Sequence, residues 1–295
     1  CDYCKLQIES NRFHSLPSMH PEEFASTKKG IYPKTMELEL SNKCNLQCVM
    51  CTGRNSSAIR KHGEKLNALN LPYDDKFVEQ LKEFIPQLKN ISFYGGEPFL
   101  IDIYYKIFEQ IVKLNPKIRL FVVTNGTVYN NRIDNLLKNA IFNITVSIDS
   151  LNKEKYETIR KGAKLETVLQ NVENFRKYSG NRLSISHTPM TINWMDTPEI
   201  INYCNRINAL INLSYVESPA KFALWSYTPD KLNEIYEFYK NSKIVEDKKS
   251  LKSAYNKRVF NEWTEQVKFF RDRNSEILQS FEDIDQLFNN SLINL

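Results

Sequence analysis

Between residues 34 and 217 the apolar positions switch repeatedly between two periods. Over 35–41, Met36, Leu38 and Leu40 alternate with Glu37, Glu39 and Ser41, the period-two mark of a strand with one buried face. Over 75–85, Phe77, Leu81 and Phe84 or Ile85 recur at three-to-four spacing, which predicts a helix. The exchange continues. Strands are predicted at 90–94, 118–123, 142–148, 182–191 and 211–216, and helices at 102–114, 131–138, 153–160, 165–177 and 197–207. Strand-helix alternation builds parallel sheets, so the expected fold is a partial, open α/β barrel of six parallel strands. Such sheets gather their chemistry at the carboxyl ends of the strands. The polar and Gly-rich stretches of this chain fall at those ends. From residue 228 the pattern is helical only. Thr228-Pro229 reads as an N-cap with Pro at the first helical position. Val259, Trp263, Val267 and Phe270 form one apolar stripe, and Ile277, Phe281, Ile284 and Phe288 another. These helices are expected to pack on the barrel. The chain thus divides into an amino-terminal segment (1–33), a barrel (34–217) and a helical carboxy-terminal extension (218–295).

Composition narrows the class. The 295 residues are 41 % hydrophobic and 25 % charged, enough for a sizeable core in an ordinary soluble protein. Net charge is +5 and the isoelectric point is near 8.7. The Lys and Arg are interspersed with Asp and Glu, which argues for a solvated surface and against a nucleic-acid face. No apolar run reaches the roughly 18 residues of a membrane span, and no secretory signal precedes the first strand. A cytoplasmic location with no membrane partner is the expectation. The chain begins with Cys1 rather than Met, and is read as a fragment or a processed form.

The cysteines change the picture most. Five of the six fall in two clusters, Cys1 with Cys4, and Cys44, Cys48 and Cys51. Clustered thiols in a chain of this kind point to metal or redox chemistry rather than disulfides. Cys44, Cys48 and Cys51 have C-x3-C-x2-C spacing in the loop after the first strand. Three thiolates there can hold three irons of a 4Fe-4S cubane and leave the fourth iron open to a ligand, since full protein ligation takes four cysteines. The alternative is zinc, which needs a fourth Cys or His; His62 is loosely placed for that. Cys204, mid-helix beside Ile200, Ile201 and Ile207, reads as a buried small apolar residue.

Cys44, Cys48 and Cys51, with Tyr94-Gly95-Gly96-Glu97-Pro98 at the end of the second strand, resemble the radical S-adenosylmethionine (SAM) superfamily. The resemblance covers about residues 34–217 and implies a partial α/β barrel. It also implies a 4Fe-4S cluster on the three cysteines, and SAM chelated to the open iron. One electron would cleave SAM to methionine and a 5′-deoxyadenosyl radical that abstracts a hydrogen atom, the cofactors supplying the chemistry and the protein the orientation. By the same resemblance, Gly95, Gly96, Glu97 and Pro98 bind the SAM amino group. Glycines permit close backbone approach and the Glu97 carboxylate suits an ammonium. Thr124, Asn125 and Gly126 resemble a signature near SAM, though alone they read as a turn. Ser147 and Asp149 match a Ser-x-Asp at the fourth strand's end, on one face with Thr145 by period two. Arg160 resembles a basic residue that pairs with the SAM carboxylate, with a solvated helix-end Arg as the alternative. Asn193 is a further SAM-site candidate, with a turn as its alternative. Met50 stands where the family usually has an aromatic residue near the adenine, and a thioether can pack on a ring edge.

Cys1-Asp2-Tyr3-Cys4, residues 9–12, residues 32–34, and the later segments 216–219 and 228–230 resemble twitch- or SPASM-like radical SAM proteins. That resemblance implies an auxiliary cluster held partly by Cys1 and Cys4, possible only if upstream residues supply more ligands; a chance terminal pair is the alternative. The subgroup resemblance makes a peptide or protein the expected substrate. A sugar or nucleoside is the second reading, and a non-catalytic iron-sulfur or zinc module the third. A reducing partner such as flavodoxin or ferredoxin is implied. Glu37, Glu39 and residues 54–62 are candidates to touch substrate or simply surface positions.

Overall fold

The computed structural model describes residues 31–179, 182–247 and 249–278. Six strands form one sheet: β1 (Thr35–Leu38), β3 (Asn90–Phe93), β4 (Arg119–Thr124), β5 (Ile141–Ser147), β7 (Leu183–His187) and β8 (Leu210–Leu213). They lie side by side in that order, and every neighbouring pair is parallel. Helices α1 (Asp75–Leu81), α2 (Asp102–Leu114), α3 (Asn131–Asn139), α4 (Lys153–Ile159), α5 (Leu165–Ser179) and α6 (Thr197–Ile207) fill the connections. This is the expected six-stranded partial α/β barrel.

Local chemistry sets the boundaries. The side chains of Asp74, Asn130 and Asn152 accept backbone N–H bonds at the starts of α1, α3 and α4, satisfying donors a helix start leaves open. Asn208, left-handed at φ 53°, stops α6. The helix expected over 75–85 ends at Leu81, and a tighter turn, Ile85–Gln87, follows around Pro86. The first strand is shorter than expected. Residues 39–41 leave the ladder because they are laced elsewhere: Leu40 N–H donates to Tyr104 Oη (2.9 Å) and Gly96 N–H to the Ser41 carbonyl (3.0 Å). The later strands likewise end at His187 and Leu213.

The two faces of the sheet differ. Ile91, Phe93, Leu120, Val122, Phe142, Ile144, Leu183, Ile185 and Ile211 are buried. The core they share includes Phe108 of α2, Ile133 of α3, Val172 of α5 and Cys204 of α6. The inner face holds register rows of another character, Ser92–Phe121–Asn143 and Val123–Thr145–Ser184. Phe121 and Val123 are each 38 % exposed, so the inner face is open as well as largely polar. The tail helices α7 (Pro229–Asn241) and α8 (Leu251–Asp272) pack on each other, and α8 covers the β8 edge. Asn256 of α8 accepts the Ile211 N–H (2.9 Å) and donates to the Ala209 carbonyl (2.9 Å), so the edge strand's open groups are paired rather than left as a template for another chain. Trp263, Val267, Phe270 and Ile277 are buried; Phe281, Ile284 and Phe288 lie outside the described residues. No helix among the described residues is long and apolar enough to cross a membrane.

Candidate cluster and cofactor site

The cysteine loop is cross-linked before any metal is considered. Asn42 Nδ2 donates to the Gly53 carbonyl (2.9 Å) and Ser56 Oγ to the Leu46 carbonyl (2.6 Å). Ser57 Oγ both donates to the Cys44 carbonyl and accepts its N–H. A second anchor has no counterpart in the sequence pattern. Gln47 and Cys48 form β2, which pairs antiparallel with β6 (Arg160–Lys161) and sets Cys48 opposite Arg160. Val49 N–H extends the pairing to the Ile159 carbonyl (2.9 Å).

This pairing removes one of the alternatives for Arg160. It is not a solvated helix end: its side chain is 11 % exposed, and Nε donates to Asp149 Oδ2 at 2.7 Å. Nη1 lies 3.9 Å from Cys48 Sγ. On the other side Asn125 Nδ2 lies 3.9 Å from Cys44 Sγ and 3.0 Å from Asn45 Oδ1. Two of the three sulfurs therefore face N–H donors, which suits thiolates carrying cluster charge. Burial pushes the Cys44 thiol up. A hydrogen bond from Cys48 pulls the Cys51 thiol below its ordinary range, and the charge of Arg160 acts in the same direction. Among the described residues, no three His, Cys, Asp or Glu side chains are arranged around a single metal ion. A cubane asks for something else, one iron per thiolate, and one short loop carrying all three thiols fits it.

The Gly-Gly-Glu-Pro segment is tied into the protein on both sides. Gly95 has φ 110°, and a Cβ there would sit within the van der Waals shell of the Ser41 carbonyl; at Gly96 it would meet the Lys43 carbonyl. The close approach the glycines permit is therefore to the backbone leading into Cys44. Glu97 is fully buried, and both carboxylate oxygens are used. Oε1 accepts from Thr124 Oγ1 (2.8 Å) and Phe99 N–H (3.1 Å), and Oε2 from Asn125 N–H (2.7 Å). Its side chain staples β3 to β4. Burial pushes its carboxyl up to about 7, against the lowering effect of those donors. Pro98 is buried and opens the turn Pro98–Leu100. Thr124 is committed to Glu97.

The β5 side is charged. Asp149 is fully buried, bonded to Arg160 and to the Thr188 N–H (2.9 Å). Burial alone would raise its carboxyl; the Arg160 charge, helped by His187 and the Thr188 N–H, outweighs this and holds it below the ordinary range. Ser147 is buried and falls on the inner face with Thr145. The Asn193 amide donates to the Asp149 and Thr188 carbonyls (2.8 and 3.1 Å), and its oxygen accepts the Met190 N–H (2.6 Å). It braces the loop around Asp149, with both amide protons used. Met50 is half-buried and packs against the core. The structure thus brings the three cysteines, Asn125, Arg160, Asp149 and Ser147 to one end of the sheet. Cys1 and Cys4 lie outside the described residues. Sequence reasoning missed Asn45 and His187, and a lone polar residue at a strand end was the only available signal for the second. Arg60, within 54–62, is buried in the π-helical turn Ile59–Gly63 and bonded to the Asn67 carbonyl. A cavity of about 900 Å³ adjoins the cysteine loop, lined in part by Lys43, Cys44, His62 and Leu71.

The family model of the Radical SAM superfamily matches residues 38–204, spanning the whole of this arrangement. The chain belongs to the radical SAM superfamily. Its cofactors are accordingly a 4Fe-4S cluster and SAM, with Cys44, Cys48 and Cys51 fitting the cluster as described. Among curated proteins, it is 28 % identical over 182 residues to "Probable GTP 3′,8-cyclase" of Methanocaldococcus jannaschii, covering 61 % of this chain and 58 % of that protein. It is 23 % identical over 212 residues to the GTP 3′,8-cyclase of Clostridium perfringens strain SM101, covering 72 % and 60 %. The chain therefore spans about three fifths of the length of these relatives. Among solved structures, native anSMEcpe with bound AdoMet aligns with a TM-score of 0.55 at 19 % identity, over 81 % of this chain and 63 % of that one. Streptococcus suis SuiB bound to precursor peptide SuiA aligns at 0.52 and 15 %, over 71 % and 46 %. These likenesses show the shared fold. Radical SAM enzymes as a class need a reductant.

Proposed function

We propose that this chain cleaves SAM reductively and uses the product to abstract a hydrogen atom from a small organic molecule held against the open inner face of the sheet. When bound, the cluster supplies the electron that splits SAM into methionine and a 5′-deoxyadenosyl radical. The chain's own residues do the rest. Cys44, Cys48 and Cys51 hold three irons. Arg160, fixed by Asp149, places positive charge beside Cys48 and is suited to a ligand carboxylate. Backbone carbonyls of Gly95 and Gly96 and the Ser147 hydroxyl are the groups assigned to the rest of SAM, with Met50 beside the adenine. Glu97 and Asn193 support these groups from behind.

The observation that carries the reading is the meeting of the three-cysteine loop with Arg160 and Asp149 at the carboxyl end of the strands. The curated relatives take their name from a nucleotide substrate, which favours a small molecule over the peptide expected from the subgroup resemblance. A flavodoxin- or ferredoxin-type donor is proposed as the electron source. An auxiliary cluster using Cys1 and Cys4 belongs to the proposal only with further ligands, because two thiolates cannot close a cubane. The test is anaerobic incubation with SAM and dithionite, with GTP, other nucleosides or peptides supplied separately, read by mass spectrometry. Product formation with a nucleoside or nucleotide supports the reading; product formation only with peptides overturns its substrate half.

A further inference from the structure

A buried chain of hydrogen-bonding groups runs from Asp149 to the tail helix α7, and its proton directions can be counted. Tyr239 Oη donates its only proton to the Trp194 carbonyl at 2.9 Å. It can then only accept from Thr197 Oγ1, 3.2 Å away. The single Thr197 proton is thereby used, so Thr197 must accept from His187 Nε2 at 3.0 Å, and Nε2 carries a proton. The other ring nitrogen, Nδ1, is buried with no hydrogen-bond partner and lies 3.7 Å from Asp149 Oδ1. If Nδ1 were bare, its lone pair would point at a buried carboxylate. A proton on Nδ1 turns the same geometry into attraction. At 3.7 Å the contact is an ion pair rather than a hydrogen bond.

We propose that His187 stands as an imidazolium sharing Asp149 with Arg160, and that through Thr197 and Tyr239 it makes α7 part of the support of the cofactor site. It is a positioning residue, since it reaches the cofactor only through Asp149 and Arg160; this role rests on the assignment of those two residues to SAM. The charged and titratable groups around it are consistent with a cation. Asp149 faces it directly, Arg160 lies beyond Asp149, Tyr239 of α7 reaches it through Thr197, and Asp196 at the head of α6 is already paired with Lys155 (2.7 Å). With Asp149 held from two sides, Arg160 keeps one orientation, Nε on the carboxylate and Nη1 toward Cys48.

Two measurements test this. In nitrogen-15 NMR of the cluster-loaded protein labelled at histidine, the His187 signals should show both ring nitrogens protonated at pH 7.5. A neutral ring protonated only at Nε2 would overturn the proposal. The second compares His187→Asn, whose amide can reproduce the Nδ1–H, with His187→Gln, which reproduces only the Nε2 contact. SAM affinity is read from the change SAM causes in the EPR spectrum of the reduced cluster. His187→Gln should weaken SAM on the order of ten-fold, the scale of a lost hydrogen bond to a charged group, and His187→Asn clearly less. Equal weakening in both variants would overturn the positioning role. If SAM leaves the wild-type spectrum unchanged, the cofactor assignment fails, and the NMR result alone then decides the state of His187.

Discussion

Glu97 and Asp149 stand at the carboxyl ends of β3 and β5, both fully buried, yet they are held in opposite ways. Glu97 meets only neutral donors, Thr124 Oγ1 and the N–H groups of Phe99 and Asn125, and burial pushes its carboxyl up to about 7. Asp149 meets Arg160 and is held below the ordinary range. The difference follows from what each buried carboxylate is given to offset desolvation, dipoles in one case and a full charge in the other. Glu97 is a staple between strands; Asp149 is the counter-ion that fixes a cation beside the cluster thiolates.

The largest effect should come from Asp149→Asn. It leaves Arg160 buried without its counter-ion, a change that costs about 3–5 kcal/mol. Chemical denaturation should show that loss, and SAM binding should fall with it. An Asp149→Asn protein as stable as wild type would remove the contrast with Glu97.

Glu97→Gln should be milder, about 1–3 kcal/mol, because the amide turns one N–H toward a buried donor. Its pH dependence is the sharper test. A carboxyl raised in the folded state makes the native protein bind the proton more tightly, so stability falls as pH rises from the unfolded carboxyl value of 4.5 to about 7. The fall is on the order of 3 kcal/mol across that window, and levels off above it. Asp149, with a lowered value, contributes stability that is lost only as pH falls below the ordinary carboxylate range. Melting temperatures between pH 4.5 and 7.5 should fall with pH more steeply in wild type than in Glu97→Gln. Parallel curves would contradict the assignment.

Gly96→Val sharpens the comparison on the staple side. Because a Cβ there meets the Lys43 carbonyl, the variant should lose iron as well as SAM affinity. Full iron content with weak SAM binding would instead mean that the missing side chain at Gly96 makes room for SAM rather than for the Lys43 carbonyl.

Much of this fold was legible because its strands and helices carry strong periods. The helices over 102–114 and 197–207 match α2 and α6 at both ends. The site was legible only where the chemistry is local, as in the three cysteines on one loop. β2 and β6 have two residues each, too short to show a period, so the clamp that buries Arg160 left no trace in the pattern. The staple role of Glu97 depends on donors brought together by the β3–β4 register. A carboxylate in a Gly-rich turn carries no mark of which way it faces. His187 is a single residue whose partners, Asp149 just beyond β5 and Thr197 of α6, are far from it in the pattern, and its meaning exists only after folding.

The central claim is that the loop of Cys44, Cys48 and Cys51 carries the cluster that cleaves SAM. The most direct measurement is made on anaerobically purified protein: iron and sulfide content together with 5′-deoxyadenosine formed from SAM and dithionite. The account predicts about four irons and four sulfides at this site, with 5′-deoxyadenosine produced, and the loss of both when all three cysteines are replaced by Ala. Full iron content or continued 5′-deoxyadenosine formation in the triple variant would contradict it.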